Sequence, residues 1–136
     1  MDESKLFDLV LLLEDDMSHA LIIKRALARY AREILHVQTL AEAVAALEQH
    51  RPDLVVSDLR LPDASGPAAI AGISGSERSL PLIVLTSSTS LKDAVEAMQL
   101  GARDYIVKDF GADFQGVLGL SLSRVYAALQ LEREER

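Results

Sequence analysis

Four short stretches of the chain carry side chains that could do chemistry together. Leu11-Leu12-Leu13 runs straight into Glu14-Asp15-Asp16, Val55-Val56-Ser57 ends on Asp58, Leu82-Ile83-Val84-Leu85 ends on Thr86 and Ser87, and Tyr105-Ile106-Val107 ends on Lys108. Each apolar run delivers a polar or charged residue at its carboxyl end. If these ends meet, at least three carboxylates share one small space, and they repel unless something positive, or water, collects among them. Oxygen-only donors suit a hard cation such as Mg²⁺, which keeps several of its waters. One lysine cannot balance them all. A cation, a lysine and a hydroxyl around one carboxylate are the parts that phosphoryl transfer needs, where a protein mainly positions groups and stabilises charge on the equatorial oxygens. The carboxylate can itself be the nucleophile, giving an aspartyl-phosphate. For any one of these residues alone, a solvated loop end is the stronger reading; their joint chemistry is what selects a site.

The elements that must position them alternate along the chain. Phe7–Leu13 is an apolar run without period, as in a strand covered on both faces. From residue 18 to about 30 the pattern turns helical, with Ile23, Leu27 and Tyr30 or Ala31 on one side, and residues 34–38 are again strand-like. Thr39 and Glu42 fit a capping box, after which Leu40, Ala43, Val44 and Leu47 keep helical spacing. Pro52 ends that helix, and residues 53–57 make a third buried strand. A turn-rich segment follows, in which Pro67 is placed to open a weak helix over 68–76, diluted by Gly72 and Gly75. Residues 81–86 form the clearest strand. Ser90 can cap the next helix, carried by Val95 and Met98 and closed by Gly101. Asp104–Val107 is a fifth strand, and a last helix starts near Asp113. Five βα repeats with wholly apolar strands predict an α/β fold, a (βα)5 doubly wound five-stranded parallel sheet with right-handed crossovers. In such sheets ligands gather at the carboxyl ends of the strands, where the strand order switches direction.

Composition narrows the field. A chain of 136 residues fits one domain with a single core, and 49% hydrophobic with 26% charged residues is a globular balance rather than a disordered one. Cysteine is absent, which removes disulfides and thiolate metal sites and leaves the cytoplasm as the expected location. No run approaches about 18 apolar residues, and Met1-Asp2-Glu3 lacks the basic start of a secretory signal, so neither membrane nor export is expected. A net charge of −7 opposes binding to phosphate backbones, so no nucleic-acid partner is expected.

The strings LLLEDD, VVSDLRLPDASG, LIVLTSS and GARDYIVKD stand in the order and approximate spacing of the receiver domain of two-component response regulators. The chain resembles that family over nearly its whole length, and the combination of motifs is highly specific. The resemblance implies the flavodoxin-like fold of the chemotaxis regulator, as a single receiver domain over residues 1–136. It implies that Asp58 is the phosphoacceptor, that Asp15 and Asp58 with the backbone carbonyl of Arg60 hold Mg²⁺, and that Glu14 acts on the metal through water. Lys108 would pair with the phosphoryl oxygens and Thr86 would donate its hydroxyl to one of them, with Ser87 alongside. As Thr86 moves towards the phosphoryl group, Tyr105 would turn inward and change the surface made by the fourth helix, fifth strand and fifth helix. The implied partners are a histidine kinase or phosphotransfer protein as donor and a protein target downstream. Such a chain is a switch rather than a metabolic enzyme, its chemistry limited to accepting the phosphoryl group and slowly hydrolysing it. Two alternatives stand beside this. A receiver-like interaction module that is never phosphorylated is opposed by the intact Asp15, Asp58, Thr86 and Lys108. An aspartate-nucleophile phosphatase of the haloacid-dehalogenase type would need a second aspartate two residues after the first, where this chain has Arg60.

Some positions depart from the family pattern. Asp109 stands where many receivers have a proline, and it could pair with Lys108, although solvent exposure is the simpler expectation. Ser87 occupies a position usually given to a small apolar residue. The Arg60 side chain lies either over the pocket mouth or on plain surface. His19 begins the first helix, His36 lies in a strand and His50 ends the second helix; all three read as structural or surface residues, with the donor histidine on another protein or domain. In the last helix, Leu118, Leu122, Val125 and Leu129 keep 4-3-4 spacing before the charged Glu132-Arg133-Glu134-Glu135-Arg136. Packing on the sheet with a solvated tail is the preferred reading. A helix extending as a homodimer seam, or into a following module, is the other.

Overall fold

The computed structural model describes residues 5–75, 80–111 and 113–134. Leu12 and its neighbours have no polar face because both sides of their strand are covered, and the two sides are covered by different helices. Five strands, β1 (Phe7–Leu13), β2 (Ala31–Val37), β3 (Leu54–Ser57), β4 (Leu82–Thr86) and β5 (Asp104–Val107), form one parallel sheet in the order β2-β1-β3-β4-β5. Between them run α1 (Met17–Leu27), α2 (Leu40–Gln49), α3 (Pro67–Gly75), α4 (Leu91–Gln99) and, after β5, α5 (Phe114–Glu134). Val10 and Leu12 of β1 join Ile83 and Leu85 of β4 in a core with α1 and α5. Leu11 and Leu13 turn the other way, with Val55, Leu82 and Val84, towards α2, α3 and α4. Strand side chains alternate between faces, so a strand serving two cores must be apolar throughout.

The expected alternation is therefore present, with shifted edges. Residues 31–33 extend β2 towards its start because they pair with β1, Phe7 opposite Ala31, and this pairing ends α1 at Leu27 rather than Tyr30. Residues Arg60–Leu61 and Ala64–Ser65 form a small antiparallel ribbon at the segment expected to be turn-rich. Residue 76, expected at the end of α3, lies outside the described residues, as do Glu135 and Arg136.

One expectation fails. Val95 and Met98 do not carry α4 onto the sheet; each is 46% exposed, and the buried contact is made by Ala97. Small side chains let the helix approach the sheet closely, which leaves the larger ones facing out. The two ends behave as expected: the Ser90 side chain accepts from the Asp93 amide, and Gly101 follows the helix at φ 107°, a conformation that costs glycine little. In α5, by contrast, Leu118, Leu122 and Val125 are buried in the core. They are occupied within the domain and do not form an outward seam; Val117, Leu120 and Leu131 are the large apolar residues α5 exposes.

The start of α2 is doubly held. Thr39 accepts from the Glu42 amide at 3.0 Å while Glu42 accepts from the Thr39 amide at 3.1 Å, completing the capping box. Asp63, from beyond β3, accepts from the amides of Leu40 at 2.8 Å and Ala41 at 2.9 Å. These backbone hydrogen bonds, that of Leu40 first, hold the Asp63 carboxyl below the usual carboxylate range. A depressed folded value means that the contribution is complete above about pH 4, where the unfolded carboxyl is ionised, and is lost as pH falls through the folded value. Asp63→Asn is thus expected to flatten the acid limb of the unfolding curve, and Thr39→Ala to cost about 1 kcal/mol at any pH. Denaturant melts between acidic and neutral pH read both.

Candidate functional site

The strand order reverses between β1 and β3, since the chain leaves β1 for β2 on one side and later enters β3 on the other. Leu13 sits opposite Ser57, and the Asp58 amide donates to the Leu13 carbonyl at 3.1 Å. The register alone therefore brings Glu14 and Asp58 to adjacent strand tips. On the far side, the Lys108 amide donates to the Thr86 carbonyl at 2.7 Å and aligns the tips of β4 and β5.

Lys108 ties the two halves together. Its ammonium, on a side chain only 2% exposed, donates to Asp58 Oδ2 at 2.6 Å and forms a closer ion pair with Glu14 Oε1. Burial is the largest influence and opposes the charge, but the hydrogen bonds it donates to Asp58 and Glu14, with their negative charge, outweigh it and hold the ammonium above its usual range. Glu14 is itself buried, and its second oxygen accepts from the Asp16 amide at 3.1 Å. The other Asp58 oxygen accepts from the Arg60 amide at 3.1 Å. Asp15 is exposed at the mouth. Asp16 caps α1 by accepting from the His19 amide, which is the main reason its carboxyl lies below the usual range.

These tips line an open pocket of about 360 Å³, with Glu14, Asp15, Asp58, Arg60, Ser87 and Lys108 in its walls. Thr86 does not line it. That side chain is buried, with its oxygen accepting from the Ser88 amide at 3.3 Å, while Tyr105 is half-buried and its hydroxyl donates to the Ser88 carbonyl at 3.2 Å. Asp109 does not pair with Lys108; its carboxylate accepts from the Gly111 amide.

Among the described residues, no three Asp, Glu, His or Cys side chains converge into a metal cage. Mg²⁺ does not require one, because it takes one or two carboxylates and completes its octahedron with water and phosphate oxygens. Asp15 and Asp58, oxygen donors facing one cavity, fit that demand.

Residues 10–114 match the model of the response regulator receiver domain. The chain belongs to that family. A transcriptional regulatory protein KdpE of Mycobacterium tuberculosis is 36% identical over 126 residues, covering 92% of this chain and 55% of that protein. The signal receiver domain of a LuxO repressor protein from Vibrio parahaemolyticus is 32% identical and superposes with a TM-score of 0.75, covering 92% of this chain and 97% of that one. The chemotaxis regulator CheY4 of Vibrio cholerae, at 26% identity, gives 0.73 over 87% of this chain and 98% of its own. This receiver domain thus spans about half the length of its curated relative KdpE. Receiver domains are switches of two-component signalling rather than metabolic enzymes, acting between histidine kinases and effectors, and the family generally uses Mg²⁺. Among the described residues, no helix of this one is long and apolar enough to cross a membrane.

Two further residues belong to the site: His19, expected to be a structural or surface residue, and Ser88, which the sequence does not mark out. His19 lines the cavity, its Nδ1 3.2 Å from the Lys108 ammonium. Its one sequence signal is a position three residues after the Asp16 cap. Ser88 connects Thr86 and Tyr105 and also donates to Asp93 of α4 at 2.7 Å; nothing in a Ser/Thr-rich loop marks it out. His36 touches the Glu14 carbonyl at 2.7 Å and His50 caps α2, both structural roles as expected.

Proposed function

We propose that this receiver domain accepts a phosphoryl group on Asp58 from the phosphohistidine of a kinase or phosphotransfer protein. The observation that carries the reading is the Asp58 carboxylate, hydrogen-bonded to a buried lysine inside a cavity rimmed by further carboxylates. An Asp58 oxygen attacks phosphorus, the P–O bond forms as the P–N bond of the donor breaks, and the departing imidazole takes up a proton. Lys108 is placed to follow the negative charge from the carboxylate onto the phosphoryl oxygens. Ser87 faces the same cavity and offers a hydroxyl. Asp15, Asp58 and the Arg60 carbonyl would hold Mg²⁺, with Glu14 acting through water. Bound there, the ion would neutralise charge on the attacking and transferring oxygens.

The output follows from Thr86 and Tyr105. Both are tied to Ser88, and Ser88 to Asp93 in the first turn of α4, so movement of Thr86 towards a phosphoryl group disturbs the Tyr105 anchor and the start of α4 together. A local charge event then biases a two-state packing element. A protein partner reads the face of α4, β5 and α5, which leaves Leu91, Val95, Met98 and Val107 exposed.

Incubation with Mg²⁺ and a small phosphodonor is expected to add mass to the wild type and none to Asp58→Asn; a gain that persists in the variant removes Asp58 from the role. Loss of the gain in a folded wild type would favour an unphosphorylated interaction module. Asp15→Asn is expected to weaken Mg²⁺ binding by about tenfold or more, since even residues behind the ligands matter that much. An unchanged affinity in a direct titration counts against the metal assignment.

A further inference from the structure

An ammonium has three N–H donors and no acceptor, and when it is buried each donor needs a partner. Lys108 meets two of these needs at Asp58 and Glu14. The third acceptor is His19, from a different element, with Nδ1 3.2 Å from the lysine nitrogen. Because the lysine can only donate, Nδ1 is the bare nitrogen and the ring proton sits on Nε2. That nitrogen faces the Asp16 carboxylate at 3.7 Å, so both ends of the ring fit one tautomer.

The ring is also held in place. Phe110 packs against it with centroids 5.0 Å apart and planes at 65°, and Phe110 in turn meets Phe114 at the start of α5, at 4.8 Å and 86°. Lys108 and Phe110 are two residues apart in one loop, which therefore presents both the donor that His19 accepts from and the surface that fixes its orientation. Asp16 at the cap of α1 and Lys108 and Phe110 of the β5–α5 loop thus converge on one imidazole beside the proposed phosphoacceptor, with Phe114 of α5 backing Phe110.

We propose that His19 is a positioning residue for phosphoryl transfer, completing the shell of Lys108 and aiming its ammonium at Asp58. The inference rests on the reading of Asp58 as phosphoacceptor. Glu14 alone attracts the lysine strongly but from one side only. With His19 as a counterweight the ammonium stays between Glu14 and Asp58, where an incoming phosphoryl oxygen can replace a carboxylate oxygen.

The test compares His19→Leu, which removes the acceptor, with His19→Gln, whose amide oxygen can still accept. With Mg²⁺ and a small phosphodonor, the initial rate of mass gain is expected to fall about tenfold in His19→Leu, the scale of one hydrogen bond to a charged group. His19→Gln is expected to recover most of that loss. In unphosphorylated protein, the NMR signal of the Lys108 ammonium is expected to exchange slowly with water in wild type and His19→Gln, and rapidly in His19→Leu. An unchanged rate in His19→Leu, or a His19→Gln variant no better than it, overturns the proposal. If the wild type takes up no phosphoryl group, the function reading fails by itself, and the ammonium signal still decides whether His19 holds the lysine.

Discussion

Replacing Lys108 by Met is expected to lower stability by about 3–5 kcal/mol near neutral pH, the cost of leaving one partner of a buried ion pair alone. It is also expected to abolish phosphoryl uptake. The side chain is 2% exposed and its two carboxylate partners stand at 1% and 10%, so water cannot take over the lost contacts without entering the crevice. The deficit should depend on pH in a definite direction. In the wild type the Lys108 ammonium is held above its ordinary range, so its contribution is complete below about pH 10, where the unfolded lysine is charged, and fades as pH rises through the folded value. In the variant Glu14 remains as a buried carboxylate without its cation, a burden the wild type does not carry while Lys108 is charged. Denaturant melts from neutral to strongly alkaline pH should therefore show the two proteins converging as pH rises and the wild type loses the charge on Lys108. A gap that stays constant would mean that the loss is packing of the lysine stem rather than charge.

A second variant separates structure from chemistry in that result. Adding Glu14→Gln to Lys108→Met removes the stranded charge, and most of the stability should return, because residues in contact couple strongly. Phosphoryl uptake should not return, since no ammonium then faces Asp58 to follow the charge onto the phosphoryl oxygens. If uptake recovers with stability, Lys108 acts on the fold alone. If neither recovers, Asp58 rather than Glu14 carries most of the burden, a possibility that Asp58→Asn in the same background would read.

How much of this was legible in the residues depends on the range of the interaction concerned. β1 and β5 stand at the bounds read from the sequence, Phe7–Leu13 and Asp104–Val107, because each is an apolar run closed by charge. The Thr39–Glu42 capping box is equally local. The beginning of β2 was not visible, because Ala31-Arg32-Glu33 has little strand character of its own and is extended by pairing with β1. In α4 the apolar period pointed to Val95 and Met98, yet the sheet accepts Ala97, a choice made by the close approach of helix to sheet. Glu14, Asp15, Asp58, Ser87 and Lys108 could be gathered because strand ends in a parallel sheet share an edge, a rule that needs no contact distances. His19 and Ser88 could not. Their roles exist only through Lys108, Thr86 and Tyr105, residues distant in the chain, and the side-chain types carry no signal of it.

Leu118→Ala is expected to cost about 2–5 kcal/mol, whereas Leu120→Ala, two residues along the same helix, should stay within about 0.5 kcal/mol of wild type. Leu118 is fully buried in the core formed with Phe7, Leu12, Ile83 and Leu122; Leu120 is 52% exposed. The contrast tests the helix face directly. Truncating Leu118 removes apolar contact and leaves a cavity that a close-packed sheet and helix cannot collapse to fill. Truncating Leu120 removes surface that was largely in water already. Further along α5, Arg103 just before β5 donates two hydrogen bonds of 2.5 and 2.8 Å to Glu132, a second tie between the helix and the sheet edge. Denaturant midpoints with unchanged slopes would establish the two costs. Equal costs at 118 and 120 would mean that α5 presents a different face to the sheet in solution, and the packing of Phe114 against Phe110 would fall with it.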